Sequence, residues 1–338
     1  MKKPVCLTIS PPFVEAAPGA EPSIEDLEIR VLRDLPPDAP WPEEGSDEVE
    51  VMICQQPPPN FEAFPRLRWV QIDSAGYQQL LPFRLPEKGI VATNVRGVFD
   101  CPIAEWNVAM MINLVRDLRT MIRHQDQGIW ERSGQFTGQI RGKTVGIWGY
   151  GGIGRETARL AKTMGMRVHV LARSANKSRD DSTCIEGTGD PDGSLPDRYF
   201  GEDEKDAFLS ELDFLILALP LTAKTDGLLG EAELRALPSG AFLLNPARGP
   251  LVQEAALLAV LRDGHLGGAA IDTHYQYPLP SEHPLWSFPQ VILTPHISGT
   301  IFSSNFKSGL IDIFRQNAKR FVAGQQLLNV VPPADLLP

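Results

Sequence analysis

Two short runs in this chain carry residues suited to a small anion and a proton. In "NPARG" (245–249) Arg248 follows a strand-like apolar segment, and in "TPHISG" (294–299) so does His296. A guanidinium meets a carboxylate through two parallel N–H···O bonds, which sets both place and orientation. An imidazole ionises near neutral pH and can give a proton to, or take one from, a reacting oxygen. A histidine with that task usually has a carboxylate beside it. Between the two runs lies "DTHYQYPLP" (272–280), and the slot for such a carboxylate holds Tyr277.

A third run, "GYGGIG", places Gly149, Gly151 and Gly154 in the spacing G-x-G-x-x-G. The spacing alone is weak, but here it follows the strand pattern "TVGIW" and opens the helix pattern "RETARLAKTMG". In that context Gly149 permits a tight turn, Gly151 lets backbone approach a pyrophosphate, and Gly154 allows close packing of helix on strand. The amides from Tyr150 through Gly152 and Ile153 then face the phosphates at a helix N-terminus. The next strand, "RVHVL", ends in Ala172, Arg173 and Ser174, with Lys177 and Arg179 beyond. An acid there would bond a ribose 2′-hydroxyl. A guanidinium with a hydroxyl suits a 2′-phosphate, so the pattern predicts NADP ahead of NAD, which stays possible.

These residues need a scaffold. Strand-like runs occur at 5–9, 49–54, 68–73, 213–219, 241–245, 267–271 and 291–294, and helical periodicity occurs at 102–125 and 302–324. Strands alternating with helices predict parallel sheets. "FLILALPL" (214–221) is apolar throughout, as a strand buried on both faces should be. Residues 175–208 are polar and rich in Asp and Gly, and read as an insertion with turns of its own. A chain of 338 residues predicts two domains. The net charge of −10 argues against a nucleic-acid or anionic-membrane surface. The four cysteines are far apart, with no Cys-x-x-Cys pair. They read as reduced thiols of a cytoplasmic protein rather than as a metal site. The start has two lysines and no long apolar region, so no signal peptide is expected.

Together the motifs resemble the D-isomer-specific 2-hydroxyacid dehydrogenases, over nearly the whole chain. The resemblance rests on "DSAGYQQL" (73–80), "TNVRGVFDCPIAEW" (93–106), "GQIRGKTVGIWGYGGIGRETA", "LALPLTAKTDGLLG" (217–230), "LLNPARG" (243–249), "GAAIDT" (268–273) and "ILTPHISG" (292–299). It implies an α/β fold of two doubly wound, Rossmann-like domains. The substrate domain would be discontinuous and flavodoxin-like (1–104 and 301–338), and the dinucleotide-binding domain central (105–300). The site would lie in a cleft, with hinges near 102–106 and 300–305.

The resemblance also implies roles. Arg248 would bind the substrate carboxylate and polarise the 2-oxo group, and His296 would be the acid/base. Asp272 would bond the nicotinamide carboxamide, and Pro220 and Thr222 would lie along the cofactor. Backbone around Ser74, Ala75 and Gly76 would hold the carboxylate. From the residues themselves, Arg96 suits a second acidic group or a solvated loop, and Trp286 a limit on substrate size or an interface or core position. The family pattern D-V-F-x-x-E-P-L laid on "DTHYQYPL" sets its Glu on Tyr277, whose hydroxyl would orient His296. The activity implied is hydride transfer between NAD(P) and a small 2-hydroxy or 2-oxo acid, as a glyoxylate/hydroxypyruvate reductase performs. Two other readings stay open: a related hydride transfer needing little proton shuttling, and a cofactor-binding regulatory protein without turnover. The stretch 102–142, with Trp106, Met110, Met111, Trp130 and Phe136, implies a homodimer.

Overall fold

The computed structural model describes residues 2–36, 38–173, 186–299 and 304–337. The chain divides into two compact units, Met1–Phe99 with Ile301–Pro338, and Asp100–Thr300.

The first unit holds β1 (Val5–Thr8), the single-turn α1 (Pro11–Val14), β2 (Glu28–Val31), β3 (Val49–Cys54), β4 (Trp69–Ile72) and β5 (Val91–Thr93). The strands form one parallel sheet in the order β2-β1-β3-β4-β5. This is the flavodoxin-like order, in which the chain reverses direction across the sheet between β1 and β3. Val5, Leu7, Met52, Val70, Ile72 and Ala92 share one buried cluster with Trp41 and Phe64. β2 and β5 were not legible as strands. β2 is only partly buried along its length, and β5 is three residues long, so neither shows a clean hydrophobic period.

The second unit opens with α2 (Asp100–Val115) and α3 (Leu118–Asp126). The single helical run predicted for 102–125 is therefore two helices. Asp117 adopts φ 45° between them, and its carboxylate caps α3 at Thr120 N. Then follow β6 (Thr144–Trp148), α4 (Gly152–Thr163), β7 (Arg167–Leu171), β8 (Arg198–Phe200), α5 (Lys205–Leu209), β9 (Phe214–Leu217), α6 (Glu231–Ala236), β10 (Phe242–Asn245), α7 (Glu254–Arg262), β11 (Gly268–Ile271) and β12 (Val291–Leu293). All seven strands are parallel, in the order β12-β11-β10-β9-β6-β7-β8. Counted from β6 this is the Rossmann order, with its switch point between β6 and β9. Along β9, Phe214 and Ile216 enter one buried cluster, while Leu215 and Leu217 enter another on the opposite face. That two-sided burial is why this strand reads as continuously apolar. The last helix, α8 (Ser304–Val322), returns to the first unit.

The described part of the polar stretch 175–208 is more than an insertion. Arg198–Phe200 is β8, the edge strand of the sheet, paired with β7. Ahead of it, the buried Asp190 accepts from Ser194 N and Leu195 N. No helix among the described residues is long and apolar enough to cross a membrane.

Candidate active site

Gly149 follows β6 with φ 100°, and a β-carbon there would stand 2.5 Å from Ala218 O. Only glycine meets both demands. Gly151 caps α4, and the first closing bond of that helix runs from Arg155 N to Gly151 O. The amides of Gly152, Ile153 and Gly154 therefore belong to the open first turn, where an anion is favoured. A β-carbon on Gly154 would meet Gly149 O at 2.4 Å, so this glycine serves close packing as the spacing implied. The Tyr150 side chain is engaged elsewhere. Its hydroxyl donates to Asp190 at 2.5 Å, and the Arg155 guanidinium lies 4.8 Å above its ring. After β9, Thr225 ties Pro220 O and Thr222 N into one compact turn. Arg173 is exposed at the end of β7. Ser174, Lys177 and Arg179 lie outside the described residues.

Arg248 is set by an Asx turn beyond β10. The side chain of Asn245 accepts from Ala247 N and Arg248 N and donates to Arg248 O, at 3.1, 3.2 and 2.8 Å. Burial lowers the Arg248 pKa, an effect opposed by Tyr277. The next residue, Gly249, lies against the backbone of His274. A β-carbon on it would meet His274 C at 2.6 Å. Arg248 is thus joined through its neighbour to the segment that carries Tyr277.

His296 stands in a turn organised by Asp272. That carboxylate is fully buried and accepts four bonds. Oδ1 takes Thr294 Oγ1 at 2.5 Å and Ile297 N at 2.8 Å, and Oδ2 takes Ser298 N at 2.9 Å and Ser298 Oγ at 2.5 Å. Asp272 N in turn donates to Asn245 O at 3.1 Å. The resemblance implies a bond from Asp272 to the cofactor carboxamide; in the structure both its oxygens are engaged by the His296 turn. His296 itself has φ 57°, a left-handed conformation uncommon outside glycine, and its N–H closes on Thr294 O at 3.0 Å. Desolvation and the nearby Arg248 charge lower its pKa below the usual histidine value, while Asp272 opposes them.

Tyr277 corrects one expectation. Its hydroxyl accepts from His274 N at 3.2 Å rather than reaching the imidazole. The contact with His296 is through the ring, with centroids 5.5 Å apart and planes at 53°. A phenol sits over the imidazole without the charge that a carboxylate would supply, and burial raises its own pKa. Glu282 is exposed and accepts only from Ser281 Oγ among the described residues. Trp286 is 46 % exposed, donates to Pro280 O, and lines a groove with Asn113, Arg119, Ile122 and Val291.

In the first unit the loop after β4 has its carbonyls turned inward. Ser74 O accepts from Val95 N, Ala75 O from Asn94 Nδ2, and Gly76 O from Ser74 Oγ. The N–H groups of Ser74, Ala75 and Gly76 donate to no acceptor among the described residues. Successive free amides of this kind suit an anion. The residue before them, Asp73, was passed over in the sequence. Burial pushes its carboxyl up to about 6, opposed by the Ser10 hydroxyl that donates to it at 3.2 Å. Arg96 is exposed on the following loop.

Residues 108–298 match the D-isomer specific 2-hydroxyacid dehydrogenase NAD binding domain. A glyoxylate reductase of Thermococcus kodakarensis is 31 % identical over 280 residues, covering 81 % of this chain and 77 % of that protein. Among solved structures, a D-isomer specific 2-hydroxyacid dehydrogenase family protein from Aeromonas salmonicida superposes with TM-score 0.79 at 27 % identity. It covers 98 % of this chain and 100 % of its own. An NADPH-dependent glyoxylate/hydroxypyruvate reductase from Sinorhizobium meliloti, in complex with NADP and malonate, gives TM-score 0.75 at 26 % identity. It covers 99 % of this chain and 98 % of its own. The match spans more than half of the residues, and the chain belongs to the D-isomer specific 2-hydroxyacid dehydrogenase family.

Proposed function

We propose that this dehydrogenase is an NADPH-linked reductase of a small 2-oxo acid of glyoxylate or hydroxypyruvate size. Its family transfers a hydride between a nicotinamide and a 2-hydroxy or 2-oxo acid. The residues after β6 and β9 fit such a cofactor. The open first turn of α4 would receive the pyrophosphate, and Pro220 and Thr222 would flank the chain of the dinucleotide. When bound, the nicotinamide supplies or accepts the hydride. Arg248 binds the substrate carboxylate and polarises the 2-oxo group. His296 gives its proton to the carbonyl oxygen as the carbon is reduced. Within the first unit, the free amides of residues 74–76 suit a carboxylate. One observation carries this reading: Asp272 holds the His296 turn through its side chain and bonds the Asn245 end of the Arg248 turn through its amide.

NADP preference rests on the basic Arg173 where NAD enzymes carry an acid. A homodimer rests on Trp130, 87 % exposed, beside a groove lined by Met121, Ile129 and Phe136. Cytoplasmic placement rests on the free thiols of Cys6, Cys54 and Cys101. A second reading, hydride transfer with little proton shuttling, is favoured by one observation: desolvation and the Arg248 charge lower the His296 pKa despite the opposing Asp272.

The test is the fall of NADPH or NADH absorbance with glyoxylate, hydroxypyruvate and larger 2-oxo acids. NADPH should be the better cofactor, and Ala172→Asp should weaken NADPH binding while sparing NADH. NADH binding as tight as NADPH in the unaltered protein would refute the Arg173 argument. Tight cofactor binding with no turnover on any acid would leave a binding protein instead.

A further inference from the structure

His274 occupies the place of Phe in the D-V-F-x-x-E-P-L pattern and is only 7 % exposed. Its Nε2 lies 2.8 Å from Thr294 O. A carbonyl only accepts, so Nε2 carries the proton and the ring is the Nε2–H tautomer. Nδ1 is then a bare acceptor, buried and without a partner among the described residues.

Thr294 O is the same atom that accepts the His296 N–H at 3.0 Å. One carbonyl therefore receives two donors, one from each histidine. This matters because His296 is held at φ 57°, where a β-carbon crowds the backbone and the surroundings must enforce the conformation. Asp272 secures the turn at Ile297 and Ser298 on its far side and holds the Thr294 hydroxyl on its near side. On the near side, His274 is the side chain that bonds the Thr294 carbonyl. His274 acts a second time through its main chain, since its N–H donates to Tyr277 Oη at 3.2 Å. That bond places the phenol whose ring packs on His296.

We infer that His274 is a positioning residue for His296. It steadies the backbone through Thr294 and the imidazole through Tyr277, which stands where the family pattern has its Glu. The inference rests on the reading of His296 as the acid/base.

The experiment compares His274→Phe, His274→Gln, His274→Asn and His296→Gln in steady-state reduction of one 2-oxo acid by NADPH. His274→Phe keeps an aromatic ring and the backbone N–H but loses the donor to Thr294. It should lower kcat about tenfold, the worth of one orienting hydrogen bond, with KM and NADPH affinity changed by no more than about twofold. Gln can reach Thr294 with its amide and should restore most of kcat, whereas the shorter Asn should not. Equal kcat in the Phe variant and the unaltered protein would overturn the inference. So would a parallel loss of kcat, cofactor affinity and melting temperature that Gln does not repair. Should the Phe variant fail to fold, the Gln and Asn pair decides, and equal kcat in those two also overturns it. His296→Gln separates the levels. If that variant keeps full activity, the acid/base reading fails. If it is inactive while His274→Phe is normal, only the role of His274 fails.

Discussion

The His296 turn and the loop 74–76 are built in opposite ways. Around His296 the acceptors of the turn are filled: Asp272 takes four donors, and Thr294 O takes two, while Nδ1 of His274 stays bare among the described residues. In the loop 74–76 the acceptors are filled and the donors are left over. A group that must keep one orientation through a reaction is best held by a saturated network, because each lost bond then exposes a buried polar atom. A group that must receive an anion needs donors already aimed and carbonyls already turned away. The contrast separates what is positioned from what is offered.

Breaking the saturated side should have the largest effect. Asp272→Asn replaces two acceptor pairs with one acceptor and one amide, so donors collide with donors on one side. We expect a stability loss of about 2–4 kcal/mol in urea unfolding, together with a large fall in kcat. Unfolding and kcat both close to those of the unaltered protein would mean the network is not what holds His296.

Next comes the offered side. Ala75→Asp would set a carboxylate among the free amides. Coulomb repulsion of about 1–3 kcal/mol should raise KM for a 2-oxo acid roughly tenfold or more, with unfolding unaffected. If KM stays put, the amides hold something else or nothing.

Asp73 sharpens the same point through pH. Its carboxyl, pushed up to about 6, is neutral below that value and charged above it. Affinity for an anion on the neighbouring amides should therefore weaken as pH rises through about 6. Asp73→Asn should flatten that dependence. Calorimetry with oxamate at pH 5 and pH 7.5 would measure it, and an equal slope in both proteins would dismiss Asp73.

The smallest effect should come from Tyr277→Phe, which removes a half-exposed hydroxyl but keeps the ring on His296. A loss of about two- to fivefold in kcat is expected. Tyr277→Glu tests the charge. Reduction needs a protonated His296, and a lowered pKa means the proton is lost at lower pH than for an ordinary histidine. Reductive kcat/KM should thus decline early as pH rises, and the Glu variant should move the decline upward. Coincident pH profiles for the unaltered protein and the Glu variant would show that a charge at 277 does not reach His296.

Much of this was legible in the sequence. The glycine spacing between a strand and a helix placed Gly149, Gly151 and Gly154, and the blocks around Arg248 and His296 placed those side chains beyond strand ends. What escaped has physical causes. Strands of three or four residues at sheet edges, such as β5 and β8, have too few positions for a period to show. The break at Asp117 depends on one left-handed residue and its cap, a local feature that helical periodicity does not report. The bond from Tyr277 to His274 rather than to His296 depends on where a loop turns, which spacing does not encode. His274 did leave a trace: a histidine directly after a buried Asp-Thr at a strand end is polar where the pattern asks for Phe.

The contact between Gly249 and His274 has one more consequence. With no room for a β-carbon between them, the two backbones are in hard contact. They behave as a joint without clearance. The Arg248 turn and the segment that supports His296 therefore pack backbone against backbone. A single added methyl group at position 249 would force the two backbones apart.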